Sequence, residues 1–386
     1  MQLTLQRNDL WRGLDSVLDA VPAKPALPVL NTLLLTASGN TLSLAGTDLA
    51  LSIETRIPAV VRVPGAVAIP ARSLADLIRE WPAGELSFDV VGERLTLSGR
   101  LSDTARREAS YAISGVAAAD FPELQMQLHG VSVDFAAVDG LDAAQLSRMI
   151  SRTVFAVAKD DTRPVLNGVL WRLTPDGMDM VATDGHRFAH TRRSLDLAAE
   201  ISAPAEAIVP PAMLAQLAKL LNAHAGRARV TIGDSQLLVA AGDTTVLSRL
   251  IEGPYVDYGP VIPRDNDKRV QLPTDQLIPA VRRVSILASS YTHQVRFRLT
   301  PELLELSAVS PEIGAEAHET VPTDYSGESL EVGYNANYLV EILRKLDTPE
   351  VVIELKNHTT AAILRPAEPV AGEDYYCLLM PLRPTS

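Results

Sequence analysis

The string Asp184-Gly185-His186-Arg187 gathers the most reactive side chains of the chain into one short run. Residues two apart on a strand share a face, so Asp184 and His186 would point the same way. A carboxylate beside an imidazole can ligate a metal ion or orient a general base. Either site needs a third ligand or a nucleophile, and no other His-rich or acidic cluster accompanies the pair. The competing reading is a tight turn. There the Asp184 carboxylate accepts from backbone N–H groups just downstream, and Gly185 supplies a positive φ. The sequence holds no Walker-type phosphate loop, no GxGxxG and no CxxC pair, so nucleotide-cradle and zinc-ribbon chemistries have no footing.

The run belongs to a repeat. Arg163-Pro164-Val165-Leu166-Asn167-Gly168 echoes Leu27-Pro28-Val29-Leu30-Asn31-Thr32, and Thr183-Asp184 echoes Thr47-Asp48. Asn to Asp is 17 residues in both copies, and the copies lie 136 residues apart. The first copy continues Asp48-Leu49-Ala50 and lacks the histidine, which favours the turn over catalysis. Repetition of a whole domain points to a ring, an arch or an array, with function in the surface that the repeats enclose.

The elements that must position these residues follow from periodicity. Most of the chain alternates like short strands, as in Thr41–Thr47 and Glu85-Leu86-Ser87-Phe88-Asp89-Val90. Six helical patterns interrupt them, over 8–21, 73–81, 142–157, 212–221, 274–289 and 335–346. The first opens on an Asn8-Asp9 cap signal and aligns Leu10, Leu14, Val17 and Leu18; the third aligns Leu146, Ile150, Val154 and Val157. Each unit reads as strand, long helix, strands, short helix, strands, an α+β fold repeated three times. The expected domains are 1–126, 127–264 and 265–386, with linkers at 125–130 and 263–268.

Charge bounds the partners. The 386 residues carry 35 Lys and Arg against 47 Asp and Glu, a net charge of −12. That opposes nucleic acid as a partner unless the basic residues cluster. They do cluster on the helical patterns. Within the third helical pattern Arg148, Arg152 and Lys159 fall within roughly 40° of one another and form one basic stripe opposite the apolar face. Arg282 and Arg283 occupy the matching helix of the third unit and Arg12 that of the first. Arg72 and Arg79 lie seven apart on one short helix; Lys219, Arg344 and Lys345 sit on the others. A surface lined this way would hold phosphates without reading bases. A solvated face on each helix is the plainer alternative. Aromatics are 5% of the chain and do not interleave with these stripes, which disfavours a stacking platform for single strands.

Cys377 is the only cysteine, so no intrachain disulfide is expected and a reducing compartment fits. No basic segment followed by an apolar run opens the chain, and no apolar stretch is long enough to cross a bilayer. The end, Tyr375-Tyr376-Cys377-Leu378-Leu379-Met380-Pro381-Leu382-Arg383, reads as a last core strand through Leu379. Met380, Pro381 and Leu382 would then border an apolar groove for a partner's peptide.

Taken in order and spacing, Leu27-Pro28-Val29-Leu30-Asn31, Leu44-Ala45-Gly46-Thr47-Asp48-Leu49, Ala119-Asp120-Phe121-Pro122, Ala182-Thr183-Asp184-Gly185-His186-Arg187, Val332-Gly333-Tyr334-Asn335 and Met380-Pro381-Leu382-Arg383 resemble the bacterial DNA polymerase III β subunit, the sliding clamp. The likeness spans essentially the whole chain. It implies three DNA-clamp domains, each of two helices on antiparallel sheets, and a six-domain head-to-tail homodimeric ring without catalytic activity or cofactor. Its implied partners are double-stranded DNA without regard to sequence, the polymerase III catalytic subunit, the clamp loader, and other polymerases and repair proteins that carry clamp-binding peptides. No membrane is involved, and the expected location is the cytoplasm, on the nucleoid.

By the same resemblance, a partner-peptide pocket maps to Arg163, Leu166, Thr183, Gly185, His186, Arg187, Phe188, Val256, Val261, Thr360, Met380, Pro381, Leu382 and Arg383, an apolar patch with a basic rim. Phe188 stands where a smaller aliphatic is common, Val256 where proline is usual, and Pro260 where an arginine can occur. Ring closure maps to Tyr111 and Ile113 opposite Ile286 and Leu287, residues that ordinary core packing would explain as well. DNA contact maps to Lys24 and the helical basic residues named above. The stretch 101–110, with Arg106 and Arg107, is longer than the family's usual turn. Two readings rival the clamp: a metal-dependent hydrolase centred on Asp184 and His186, and a three-domain protein scaffold that never meets DNA.

Overall fold

The computed structural model describes every residue except 103–106, 136–137, 139–140, 161, 202, 225–226 and 384–386. Arg106, in the long 101–110 stretch, therefore lies outside the described residues. The chain divides into two compact units, one of 1–137 with 215–250 and the other of 138–214 with 251–386.

The first unit contains helices α1 (Arg7–Val17) and α2 (Ala71–Glu80). Helix α1 buries Leu10, Gly13, Leu14 and Val17, the stripe expected of a helix lying on a sheet. It lies close because position 13 is glycine: a Cβ there would sit 2.5 Å from Leu44 Cδ1. The cap signal read at Asn8-Asp9 is not used. The helix springs directly from the strand Gln2–Gln6, with Gln6 at its N-cap and no side-chain cap, and it ends at Val17 in a short 3-10 turn, Leu18–Ala20. Strands Thr32–Ser38, Thr41–Thr47 and Leu51–Pro58 form a meander. The strand Thr244–Arg249 then pairs with Leu51–Pro58, Val246 opposite Ile53, and closes an eight-stranded antiparallel sheet. A second sheet of five strands ends at Arg107–Ser114, whose outer edge is unpaired among the described residues.

The second unit repeats the scheme. Helix α3 (Ala143–Thr153) is set by a capping box, Gln145 N donating to Asp142 Oδ1 at 2.7 Å and Asp142 N to Gln145 Oε1 at 2.7 Å. Strands Val169–Thr174, Gly177–Thr183 and Arg187–Ser194 form the same meander 136 residues on. The C-terminal strand Glu373–Leu379 completes an eight-stranded sheet by pairing with Arg187–Ser194, Cys377 opposite Ala189. Position 53 plus 136 is position 189, so the two seams are joined at the same place. A four-stranded sheet ends at Ala315–Pro322, whose outer edge is likewise unpaired among the described residues. Helices α5 (Thr274–Ser285) and α6 (Ala336–Leu346) belong to this unit, and Asn335 caps α6 by accepting from Asn337 N at 2.9 Å and Tyr338 N at 3.2 Å. Helix α4 (Pro211–Ala223) carries the chain from the second unit into the first.

Candidate functional site

The two landmark turns fold identically, bond for bond. In the first, Leu49 N donates to Thr47 Oγ1 at 2.9 Å, and Ala50 N and Leu51 N donate to Asp48 Oδ1 at 2.9 and 2.6 Å. In the second, Gly185 N donates to Thr183 Oγ1 at 3.1 Å, and His186 N and Arg187 N donate to Asp184 Oδ1 at 2.9 and 3.0 Å. The middle residue has positive φ in both, 77° at Leu49 and 88° at Gly185. Preceding each is a single 3-10 turn over the echoed Pro-Val-Leu-Asn. The Asp184 carboxylate is thus committed to its own turn, and its Oδ2 also takes Arg187 Nε at 3.0 Å. The His186 ring stacks on Tyr338 at 6.2 Å between centroids. Asp184 and His186 are turn and surface residues, and among the described residues no cluster of three or more His, Cys, Asp or Glu could hold a metal.

Arg187 is the keystone of the second turn. Its guanidinium is 5% exposed and donates to Asp184, to Glu341 Oε2 on α6 at 2.5 Å, and to the Phe155 carbonyl beyond α3 at 2.7 Å. The rings of Tyr338 and Phe155 lie over it at 4.6 and 5.2 Å. Arg187 was expected on a basic rim. The structure corrects this: its charge faces inward and is neutralised, and the exposed cation beside the turn is Arg163, whose Nη2 reaches the Asp184 carbonyl at 3.3 Å. A Cβ on Gly185 would lie 3.0 Å from the Arg163 guanidinium, so glycine there serves both the φ and the neighbour.

Beside the turn is a cavity of about 220 Å³. Nine of the residues named from the sequence line it: Arg163, Leu166, Thr183, Gly185, Arg187, Phe188, Val256, Val261 and Met380. Its floor is continuous with an apolar cluster of Leu170, Val181, Ile208, Ile363 and Leu378, onto which Tyr255, Tyr258 and Ile262 pack. Phe188 is 3% exposed, its ring 5.3 Å from Tyr258 and 6.0 Å from Tyr376. Burial pushes the Tyr376 phenol up to about 12 and raises that of Tyr255, so both stay neutral at physiological pH. Asp257, Tyr258 and Leu378 also line the cavity and were not named as pocket residues from the sequence. The signal was present: Pro254 to Tyr258 reads as a domain end, and an aromatic-rich end must pack on something. His186, Thr360, Pro381, Leu382 and Arg383 do not line it. They lie in adjoining segments: Met380 N donates to His186 O at 2.9 Å, and Leu382 N to Gly333 O at 2.8 Å, which pins the tail after the strand ends at Leu379.

The basic residues fare unevenly. Lys24, Arg72, Arg79, Arg148, Lys159, Arg282, Arg283 and Arg344 are exposed, and Lys219 and Lys345 partly so. Arg79 is held by Asp76, Arg283 by Glu319, and Lys219 by Asp15 and Asp19. Arg152 does not share the α3 stripe. It is 5% exposed, ion-paired with Glu373 and stacked 4.5 Å from the Tyr375 ring, because the apolar face of α3 rotates past it onto the second-unit core. Lys159 is not on the helix either, since α3 ends at Thr153. Tyr111 and Ile286 are 45% and 76% exposed, and Ile113 and Leu287 are half-buried, so core packing does not account for them.

Comparison with known proteins gives this architecture its family. Sequence models of the N-terminal, central and C-terminal domains of the DNA polymerase III beta subunit match residues 1–125, 140–257 and 260–383. The beta sliding clamp of Pseudomonas aeruginosa is 32% identical over 386 residues, covering 99% of this chain and 100% of that one. The crystal structure of the DNA polymerase III subunit beta from Pseudomonas aeruginosa superposes with a TM-score of 0.89 at 30% identity, covering 99% of this chain and 100% of that one. A C. crescentus beta sliding clamp, solved with PEG bound to a putative beta-motif tethering region, gives 0.87 at 28% identity, covering 99% of each chain. The chain belongs to the DNA polymerase III β subunit family, the bacterial sliding clamps, non-catalytic processivity factors of DNA replication. The hydrolase reading of Asp184 and His186 falls with that assignment. Partnership with DNA, polymerase and partner peptides comes with the family, and among the described residues no helix is long and apolar enough to cross a membrane.

Proposed function

We propose that two copies of this chain close head to tail into a ring around duplex DNA, and that the cavity beside Arg163 and Phe188 docks the peptides of polymerase and repair partners. The observation that carries the ring is the pair of bare edges. At both seams a meander's third strand, Leu51–Pro58 or Arg187–Ser194, pairs with a later strand, Thr244–Arg249 or Glu373–Leu379. In the third repeat the equivalent meander strand, Ala315–Pro322, has no outer neighbour among the described residues, and neither does Arg107–Ser114 of the first. Each edge runs eight residues. Proteins shield long bare edges or pair them. Pairing each with the other edge of a second copy repeats the internal seam twice more and closes a heterologous contact. Tyr111 and Ile113 lie on one of these edges, and exposed Ile286 follows α5 in the repeat that carries the other.

We propose three domains at 1–126, 127–264 and 265–386, a division that the repeat and the family matches at 1–125, 140–257 and 260–383 support. Lys24, Arg72, Arg79, Arg148, Lys159, Lys219, Arg282, Arg283, Arg344 and Lys345 would then line the hole and give sequence-independent, salt-sensitive contact. Arg152 is left out because its charge is spent internally. The polymerase III catalytic subunit, the clamp loader and other peptide-bearing polymerases and repair proteins are the partners, which places the ring on the nucleoid in the cytoplasm. Docked partners gain effective concentration at the primer end. Light scattering during gel filtration tests the closure. The unaltered chain should run at twice its chain mass and an Ile286→Asp, Tyr111→Asp double variant at once. An unaltered chain at single mass across the micromolar range would refute the dimer.

A further inference from the structure

We infer that the chain yields at the first of its two domain seams before the second, because a buried ion pair bolts the second seam alone. Both seams lie within one chain, so the inference stands or falls apart from the ring reading. The seams can be compared residue for residue. Ile53 faces Val246 across the first and Ala189 faces Cys377 across the second. Equivalent positions therefore lie 136 residues apart on the earlier side of each seam and 131 apart on the later side. By that register Arg152 stands where the first seam has Ser16, and Glu373 where it has Gly242.

At the second seam the Arg152–Glu373 pair is sealed from water, with side-chain exposures of 7% and 6%. Glu373 also faces Arg193 Nη1 at 3.6 Å. Arg152 Nη2 donates to the Leu346 carbonyl at 3.4 Å, and its guanidinium lies 4.5 Å from the Tyr375 ring. The Tyr375 hydroxyl donates to the Arg152 carbonyl at 3.3 Å. Arg152 and Arg193 belong to the central repeat, and Glu373, Leu346 and Tyr375 to the last, so each of these contacts crosses the seam. A small swing that parts the pair leaves two charges buried and unpaired, which is far costlier than keeping them together.

The first seam has no such bolt. The Ser16 hydroxyl donates to the Arg12 carbonyl of its own helix at 2.9 Å. Gly242, at φ 56°, offers no side chain, and a Cβ there would meet the His224 ring at 2.6 Å. What crosses instead is a hydroxyl pair, Thr55 with Thr244 at 2.8 Å, a hydrogen bond from Gln216 Nε2 to Asp19 Oδ2 at 2.9 Å, and Lys219. The Lys219 ammonium sits 3.0 Å from Asp19 and 3.4 Å from Asp15, both acids exposed. Water and salt replace links of that kind at little cost. The strands also pair over five positions at the first seam against seven at the second. Each copy thus has one yielding joint, at the first seam.

The test is hydrogen–deuterium exchange of the full chain, read by mass spectrometry as protection factors so that sequence effects cancel. It is run at about 0.01 M and about 1 M sodium chloride, between which the Debye length falls from about 30 Å to about 3 Å. Thr244–Arg249 should be less protected than Glu373–Leu379 by about tenfold or more, and the gap should widen in high salt. Glu373→Gln keeps the shape and removes the charge, and should bring the two strands within about threefold of each other. Lys219→Met should abolish the widening with salt. Thermal melts show whether each variant is folded, and the two comparisons on the unaltered chain stand even if one is not. Equal protection of the two strands in the unaltered chain overturns the inference outright. A gap that persists in folded Glu373→Gln overturns the buried pair as its cause, and a gap that salt leaves unchanged overturns the Lys219 link as the weak one.

Discussion

The Arg187 guanidinium stands 2.5 Å from the Glu341 carboxylate on α6 while donating to the Phe155 carbonyl past the end of α3. One buried cation thus ties the pocket turn to two helices that carry residues proposed to face DNA. Arg187 lines the cavity, and we propose that it also positions the turn that forms it.

Substituting Arg187 should therefore damage the pocket by loosening the turn as well as by altering its lining. Arg187→Ala is expected to cost about 3 kcal/mol in urea unfolding, the low end for a broken buried ion pair. The discount reflects Glu341, whose side chain is 45% exposed and stays partly solvated. Peptide affinity should fall about tenfold, ~1.4 kcal/mol. Arg187→Lys should rescue little, since an ammonium cannot serve three acceptors in a fixed fork. Full peptide affinity in the alanine variant would show that the strut is dispensable.

Arg148 and Arg152 are four residues apart on α3, and sequence alone groups them. The structure separates them, Arg148 exposed and Arg152 buried against Glu373 with side-chain exposures of 7% and 6%. Arg148→Ala should lower the slope of log affinity for DNA against log salt by about 1 and leave the unfolding free energy nearly unchanged. Arg152→Ala should do the reverse, costing about 3–5 kcal/mol of stability with the salt slope intact. Equal effects of the two on the salt slope would restore Arg152 to the DNA surface.

Cys377 is fully buried, and desolvation pushes its thiol up to about 12 from an ordinary 9.0. The folded state keeps a proton that the unfolded chain releases. Its contribution is intact below pH 9.0 and is lost as pH rises from there toward 12. At pH 8 the native thiol should resist a disulfide reagent for hours and react within seconds in guanidinium. Rapid native labelling would mean that the C-terminal strand opens readily.

How much of this was legible beforehand depends on what each residue's reading required. The repeat, the meanders and the turn at Thr183-Asp184 were open to inspection because they rest on local spacing and local hydrogen bonds. The helix ends were less so. Asn8-Asp9 looks like a cap, but the preceding strand already fixes where α1 starts, and tertiary continuity overrides the local signal. The inward turn of Arg152 and Arg187 was hidden because their acids, Glu373 and Glu341, lie 221 and 154 residues away. Nine residues that line the cavity had been named by their place in the family pattern. Asp257, Tyr258 and Leu378 were missed because their role depends on how a linker folds over a sheet.

The ring itself is tested most directly by topology. The chain is loaded onto nicked circular DNA with a clamp loader and ATP, washed in high salt, and the DNA is then cut once. Retention on circles through the salt wash, followed by loss on linearisation, is the predicted result, because a closed ring holds by enclosure rather than by charge. Salt release from circles and linear DNA alike, with a control clamp retained under the same conditions, would contradict it.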